Sequence, residues 1–134
     1  MSTKKDKFSF KDNFYMELAL DLARAREGNT GTNPSVGCVI VKNDEIVSIG
    51  QTSNQGRPHA ETNAIRNAFV DLKGAKMYVT LEPCSHHGVT PPCTSSIINS
   101  KIDEVIYSVI DIDKRVKGKT FKILKSKKIN VKIC

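Results

Sequence analysis

The stretch Pro58-His59-Ala60-Glu61 lies upstream of two other short motifs, Glu82-Pro83-Cys84 and Pro91-Pro92-Cys93. Together the three motifs supply one histidine and two cysteines, a ligand set that suits Zn²⁺ with a fourth position left open for water. Glu61 follows His59 by two residues, close enough to face such a metal ion without binding it. Structural zinc sites close all four positions with protein ligands, so the motifs predict a hydrolytic zinc site.

Length and composition limit the classes of protein to which the chain can belong. With 134 residues, of which 39% are hydrophobic and 26% charged, it is predicted to form one soluble domain. No apolar run approaches the roughly 20 residues that cross a bilayer, and the polar N-terminus is unlike a secretory signal. We expect a disordered leader at residues 1–9 and a single domain at residues 10–134. Because two of the four cysteines belong to the metal motifs, a reducing cytoplasm is the expected location.

The net charge of +7 raises the question of nucleic-acid binding. The segment from Lys114 to Lys132 is rich in lysine and has no acidic residue, but Phe121 is its only aromatic residue. Platforms for single strands need aromatic side chains interleaved with the charge. We therefore expect a solvated basic surface or a rim that attracts phosphate, rather than a nucleic-acid interface.

Hydrophobic periodicity predicts an α/β fold. Val36–Val41 is a continuous apolar run of strand length, and Ile46–Ile49 can pair with it across Asn43-Asp44. Asp12 can cap the first helix. Strands alternate with helices after this hairpin, so we expect an antiparallel hairpin followed by parallel strands in a layered domain. The predicted helices span 12–27, 59–69, 95–99 and 118–126, and the predicted strands span 36–41, 46–49, 76–81, 105–110 and 129–133.

These elements place the metal motifs at helix starts. His59 and Glu61 would lie on the first turn of one helix, and Cys93 near the first turn of another. Helix N-termini favour thiolate over thiol, and ligand sites in α/β folds usually lie at the ends of strands. A bound Zn²⁺ would lower the pKa of its water toward neutrality. The His-x-Glu and Pro-Cys motifs resemble those of zinc deaminases, and this resemblance implies that Glu61 takes a proton from that water, passes it to a ring nitrogen and then protonates the departing amine.

The chain from Phe14 to Cys134 resembles a known family, the deaminase domain of the bifunctional bacterial pyrimidine deaminase/reductase of riboflavin biosynthesis. The gap between the two metal cysteines, with a double proline inside it, is typical of this family, whereas nucleic-acid deaminases usually have only two residues there. The matching stretches are Tyr15-Met16-Glu17-Leu18-Ala19-Leu20, Asn33-Pro34-Ser35-Val36-Gly37-Cys38-Val39-Ile40-Val41, Gly56-Arg57-Pro58-His59-Ala60-Glu61, Tyr78-Val79-Thr80-Leu81-Glu82-Pro83-Cys84-Ser85-His86-His87-Gly88 and Thr90-Pro91-Pro92-Cys93.

The resemblance implies a fold, a reaction and a set of site residues. The implied fold is a three-layer α/β/α sandwich with a mixed central sheet, as in cytidine deaminase. The implied reaction is hydrolytic deamination of 2,5-diamino-6-(5-phosphoribosylamino)pyrimidin-4-one by an enzyme that uses Zn²⁺, and we expect a homo-oligomer. The reductase half of the family is absent from residues 10–134, so we expect either a monofunctional deaminase, for which the reductase could be a separate partner, or a piece of a longer protein. Glu61 is the expected catalytic residue and His59, Cys84 and Cys93 the expected zinc ligands. The expected substrate-binding residues are Asn33, Ala60, Ser85, His86, Asp111, Lys114 and Arg115.

Three positions depart from the family pattern. Thr52 stands where the family often has histidine, and Val89 where it often has lysine or arginine. The family's later Asp-Pro-Asn-Pro is replaced by Asp111-Ile112-Asp113-Lys114. We associate the first two positions with the ribose phosphate of the substrate, and we expect Lys114 and its basic neighbours to supply the missing positive charge.

Several alternatives remain at this stage. The enzyme could act on another base, nucleoside or nucleotide, or on a base within RNA, since Thr52 and Val89 differ from the family. The chain could also be a zinc-binding assembly module without activity, or His86 or His87 could close a structural zinc site. Both of the latter leave Glu61 without a chemical task, so the deaminase of the riboflavin pathway is the leading hypothesis.

Overall fold

The structure is a computed structural model that describes residues 8–85, 92–109 and 118–133. Each predicted element is present, with ends that differ from the prediction by a few residues at most. The helices are α1 (Phe10–Arg24), α2 (Ala60–Asn67), α3 (Cys93–Asn99) and α4 (Lys119–Ser126). The strands are β1 (Gly37–Lys42), β2 (Glu45–Gln51), β3 (Lys76–Leu81), β4 (Glu104–Val109) and β5 (Asn130–Ile133).

The strands form one mixed sheet in the order β2-β1-β3-β4-β5. β1 is antiparallel to both β2 and β3, whereas β3, β4 and β5 run parallel. α1 packs on one face of the sheet, where Tyr15, Met16 and Ala19 contact buried residues of β1, β3 and β4. α2, α3 and α4 cover the other face around a larger apolar cluster. The predicted three-layer α/β/α sandwich with a mixed central sheet is therefore confirmed.

The first helix begins differently from the prediction. Ser9, not Asp12, is the N-cap, and Asp12 lies inside the first turn as the partner of Ser9 in a capping box. The Asp12 carboxylate is 2% exposed, and it accepts a hydrogen bond of 2.6 Å from the Tyr78 hydroxyl and lies 3.3 Å from Lys132 Nζ. The carboxylate thus ties α1 to the sheet, and the helix ends at Arg24 rather than near Glu27.

Two glycines bring helices close to the edge of the sheet that carries the site. A Cβ atom at Gly37 would lie 1.9 Å from the Ala19 carbonyl oxygen, and one at Gly50 would lie 2.3 Å from the Ala60 carbonyl oxygen. Any larger residue at these positions would push α1 or α2 away from the strands. Gly50 therefore fixes the position of the first turn of α2, which carries Glu61. Within the described ranges, no helix is long and apolar enough to cross a membrane.

Candidate metal and catalytic site

The three predicted metal ligands come together at the ends of three elements. His59 is the N-cap of α2, Cys84 follows the end of β3, and Cys93 is the first residue of α3. Their ligand atoms all lie within 4.8 Å of one another. The His59 Nδ1 atom is 3.5 Å from Cys93 Sγ and 3.9 Å from Cys84 Sγ. This cluster can hold a metal ion, and its one nitrogen and two sulfur atoms suit Zn²⁺.

Hydrogen bonds from Cys93 and His59 prepare Cys84 to act as a thiolate. The Cys93 backbone N–H donates to Cys84 Sγ at 3.1 Å. A hydrogen bond from the Cys93 side chain, together with His59, lowers the pKa of the Cys84 thiol to about 4. The same contact raises the pKa of the Cys93 thiol, and the hydrogen bond to Cys84 raises the pKa of His59. A divalent cation would displace the protons held by Cys93 and His59, because metal ligands bind in their deprotonated forms.

Glu61 lies beside this cluster with its side chain buried. The residue is 4% exposed, and no described lysine or arginine forms an ion pair with it. Burial raises the pKa of Glu61 to about 7, although its own backbone N–H and the Cys93 side chain act in the opposite direction. A carboxyl group that titrates near neutrality can both accept and return a proton during one turnover.

Hydrogen bonds from neighbouring elements fix the segments that carry the ligands. The Asn63 side chain donates to Gln51 O at 2.7 Å, to Ser53 Oγ at 2.9 Å and to Pro58 O at 3.3 Å, just before His59. Asn63 therefore ties the first half of α2 to the loop that delivers His59.

The Cys84 segment is fixed in a similar way from α4. The Glu82 carboxylate is 2% exposed and accepts a hydrogen bond of 3.1 Å from the Gly118 backbone N–H, and the Thr120 hydroxyl donates to Pro83 O. Sequence reasoning missed these supporting residues. Glu82 alone carried a signal, since a carboxylate at the end of a buried strand needs a partner.

The predicted substrate-binding residues are only partly within the described ranges. The Ser85 hydroxyl is buried, and no described residue forms a hydrogen bond with it. Asn33 is half-buried, and its side-chain nitrogen donates to Gly56 O at 3.0 Å. Ala60 is fully buried in the core. His86, Asp111, Lys114 and Arg115 lie outside the described residues, as does Val89.

Thr52 does not present its hydroxyl to a ligand. It is 1% exposed, and its Oγ1 atom accepts from the Val36 backbone N–H at 2.9 Å and donates to Pro34 O at 3.2 Å. The position that we associated with the ribose phosphate therefore serves the main chain of this protein.

Comparison with known proteins agrees with this arrangement. The family model of the cytidine and deoxycytidylate deaminase zinc-binding region matches residues 9–109. The chain belongs to this deaminase family. The match includes all three residues of the metal cluster as well as Glu61, and it confirms the family-level prediction from the sequence.

Individual relatives resemble the chain over most of its length. The diaminohydroxyphosphoribosylamino-pyrimidine deaminase of Buchnera aphidicola subsp. Schizaphis graminum is 48% identical over 123 residues, which cover 92% of this chain and 84% of that protein. The riboflavin biosynthesis protein RibD of Escherichia coli (strain K12) is 49% identical over 109 residues, which cover 81% of this chain and 30% of that protein.

A solved structure extends the likeness to the fold. The diaminohydroxyphosphoribosylaminopyrimidine deaminase/5-amino-6-(5-phosphoribosylamino)uracil reductase of Thermotoga maritima matches with a TM-score of 0.87 and 39% identity. The match covers 92% of this chain and 36% of that one. The chain thus spans most of the Buchnera deaminase and about a third of the two longer relatives.

Proposed function

We propose that this protein hydrolytically deaminates 2,5-diamino-6-(5-phosphoribosylamino)pyrimidin-4-one, releasing ammonia and 5-amino-6-(5-phosphoribosylamino)uracil, in riboflavin biosynthesis. The observation that carries the proposal is the 48% identity with the Buchnera deaminase, of which the chain covers 84%. The geometry of the His59, Cys84 and Cys93 cluster beside the buried Glu61 supports it independently. Residues 10–134 are the unit to which we assign this activity.

His59, Cys84 and Cys93 are the proposed zinc ligands. When bound, Zn²⁺ supplies a Lewis acid that brings the pKa of a coordinated water toward neutrality. The protein holds Cys84 ready as a thiolate through the Cys93 backbone N–H, and it turns the Nδ1 atom of His59 toward both sulfur atoms. These contacts fix the ligands before the metal binds, which reduces the free energy needed to order the site.

Glu61 is the proposed proton carrier. Its carboxylate would take a proton from the attacking water and give it to a ring nitrogen. It would then carry the second proton, from the hydroxyl group added to the ring carbon, to the exocyclic amine, which leaves as ammonia. Burial suits this role, because a carboxylate that is shielded from bulk water and forms no ion pair with a described lysine or arginine keeps its proton available for transfer.

Direct evidence would come from ammonia release by the purified, zinc-loaded protein. We expect release from the riboflavin-pathway pyrimidine and little from cytidine, cytosine or guanine. Glu61→Gln should keep its zinc and lose most of this activity. A preference for one of the other three compounds would support the alternative, a deaminase of another free base, nucleoside or nucleotide. No release from any compound would favour a zinc-binding assembly module.

The phosphate of the substrate is a separate part of the proposal. The Thr52 hydroxyl is bonded to the main chain, and the Val89 side chain cannot donate a hydrogen bond. We therefore propose that Lys114 and Arg115 hold the phosphate. A charge-assisted contact contributes roughly 1.5–3 kcal/mol, so neutralising both residues should raise KM for the phosphorylated pyrimidine by at least about tenfold. A dephosphorylated analogue should be nearly unaffected. Equal losses on both compounds would assign these residues to the fold or to an oligomer interface.

We also propose a cellular setting for the enzyme. Thiol ligands need a reducing compartment, which fits the cytoplasm. We further propose that the protein is a homo-oligomer, which analytical ultracentrifugation would test. The partners we propose are this second copy, the small phosphorylated substrate and a separate reductase, with no nucleic acid and no membrane.

A further inference from the structure

Two loops that lead to the site are joined by hydrogen bonds. The first, residues 29–35, carries Asn33; the second, residues 52–58, ends just before His59. The Gln55 backbone N–H donates to Asn29 O at 3.0 Å, and the Asn33 side-chain nitrogen donates to Gly56 O at 3.0 Å. The loop that would contact the substrate is thus joined directly to the loop that presents a metal ligand.

The hydrogen bond to Gly56 decides which end of the Asn33 side chain is available. A carboxamide has two N–H donors on one side and one oxygen acceptor on the other. Because the nitrogen faces the Gly56 carbonyl, the oxygen points away from it, and no described atom donates to that oxygen. The loop itself is fixed by the Thr30 hydroxyl, which donates to the Asn33 carbonyl oxygen at 2.6 Å.

Only glycine fits at position 56 in this arrangement. Its φ is +98°, and a Cβ atom there would lie 2.8 Å from Asn33 Nδ2 and 2.7 Å from the Thr30 carbonyl oxygen. Both distances are below ordinary contact, so a larger residue would push the Asn33 amide out of place. Thr52 supports the same loop from the other side, through its buried hydroxyl bonds to Val36 N and Pro34 O.

We propose that Thr52 and Gly56 are positioning residues that hold Asn33 with its nitrogen toward the protein and its oxygen toward the substrate. Asn33 then recognises a hydrogen-bond donor of the substrate, an N–H or O–H group, and discriminates against compounds that place an acceptor there. The inference rests on the proposed function, because it takes Asn33 as a substrate contact.

The first test compares two glycine variants of the zinc-loaded protein. Gly56→Ala adds a methyl group against Asn33, whereas Gly74→Ala, at φ +80° with no atom within 4 Å of its Cβ, adds a similar backbone strain without that contact. We expect Gly56→Ala to raise KM by roughly 2- to 12-fold, the effect of one lost neutral hydrogen bond, with zinc content unchanged. Equal KM values in the two variants, or loss of zinc from Gly56→Ala alone, would overturn the proposal.

Thr52 allows a second test with a matched pair. Thr52→Val removes the hydroxyl at nearly constant volume, and Thr52→Ser keeps it. We expect Thr52→Val to raise KM and Thr52→Ser to restore most of the wild-type value. If Thr52 acts through Asn33, Thr52→Val should cause no further rise in an Asn33→Ala background. Additive effects would show that Thr52 serves only the fold.

A measurement that needs no activity separates this inference from the proposed function. The side-chain amide protons of Asn33, assigned by their absence in Asn33→Ala, should exchange with solvent more slowly than those of the exposed Asn99. Gly56→Ala should abolish the protection and Gly74→Ala should preserve it. Equally fast exchange in Asn33 and Asn99 would refute the inference even in an active enzyme. An inactive wild type with a protected Asn33 amide would refute only the proposed function.

Discussion

Replacing Ser85 by alanine should stabilise the protein and weaken substrate binding at the same time. The Ser85 hydroxyl lies directly after the proposed zinc ligand Cys84, and it is buried without a hydrogen-bond partner among residues 8–85, 92–109 and 118–133. An unpaired buried hydroxyl costs about 1–3 kcal/mol. We take the lower end, because only the atom and not the whole residue is buried, and expect the free energy of unfolding to rise by about 1 kcal/mol.

That change corresponds to an increase in Tm of roughly 3–5 °C for a domain of this size. Loss of a neutral hydrogen bond to the substrate, by contrast, is worth about 0.5–1.5 kcal/mol, so KM should rise roughly 2- to 12-fold. Thermal unfolding and steady-state ammonia release, both on the zinc-loaded protein, measure the two effects separately.

Ser48→Ala is the matched control. The Ser48 hydroxyl is also buried, but it donates to the Ala64 carbonyl oxygen, so its removal should lower Tm and leave KM unchanged. If Ser85→Ala instead lowered Tm with an unchanged KM, as expected for Ser48→Ala, the hydroxyl would have a structural role and the substrate contact would be refuted.

Three other predictions concern the proton carrier, the metal and the fold. Glu61→Gln should retain zinc while kcat falls by on the order of 10²–10⁴-fold, measured by single-turnover kinetics; retention of most activity would contradict the proton-carrier role. Cys84→Ser should lose zinc by elemental analysis, and a fully loaded variant would remove Cys84 from the ligand set. Tyr78→Phe should lower the free energy of unfolding by about 1.5–3 kcal/mol at neutral pH, because Asp12 loses a charge-assisted hydrogen bond of 2.6 Å. Burial raises the pKa of Asp12, but the bonds from Tyr78 and Ser9 and the charge of Lys132 outweigh it, so the net pKa is lowered. The stabilisation is therefore present above about pH 4 and is lost as the pH falls through the lowered pKa of Asp12. The free energies of unfolding of the wild type and Tyr78→Phe should then converge at acid pH. A constant difference between them down to about pH 2 would be inconsistent with this origin.

Local sequence patterns predicted most of the elements. The apolar run at β1 and the Asn43-Asp44 turn specified the hairpin, and both turn residues adopt positive φ, as such a turn requires. The start of α1 was predicted incorrectly because Ser9 and Asp12 are both good capping residues. The choice between them depends on Tyr78, which lies far along the chain and holds the Asp12 carboxylate inside the first turn.

In the site, too, local sequence predicted some features, whereas others depend on contacts between distant segments. The metal cluster could be predicted because the chemistry of zinc restricts its ligands to few residue types at recognisable spacings. The partners of the Thr52 hydroxyl could not be predicted, since nothing local indicates that it bonds to Val36 and Pro34 across the two loops. The fit between Gly56 and Asn33 was hidden for the same reason, because it depends on a close approach of segments that are distant in sequence.

The central claim is a zinc ion held by three protein ligands beside Glu61, with one position open for water. X-ray absorption at the zinc edge of the purified protein tests it most directly. We predict one zinc per chain, with two sulfur atoms at about 2.3 Å from Cys84 and Cys93, one nitrogen at about 2.0–2.1 Å from His59 and one further light atom from water. A fourth protein ligand, or a different metal in the active protein, would contradict the account.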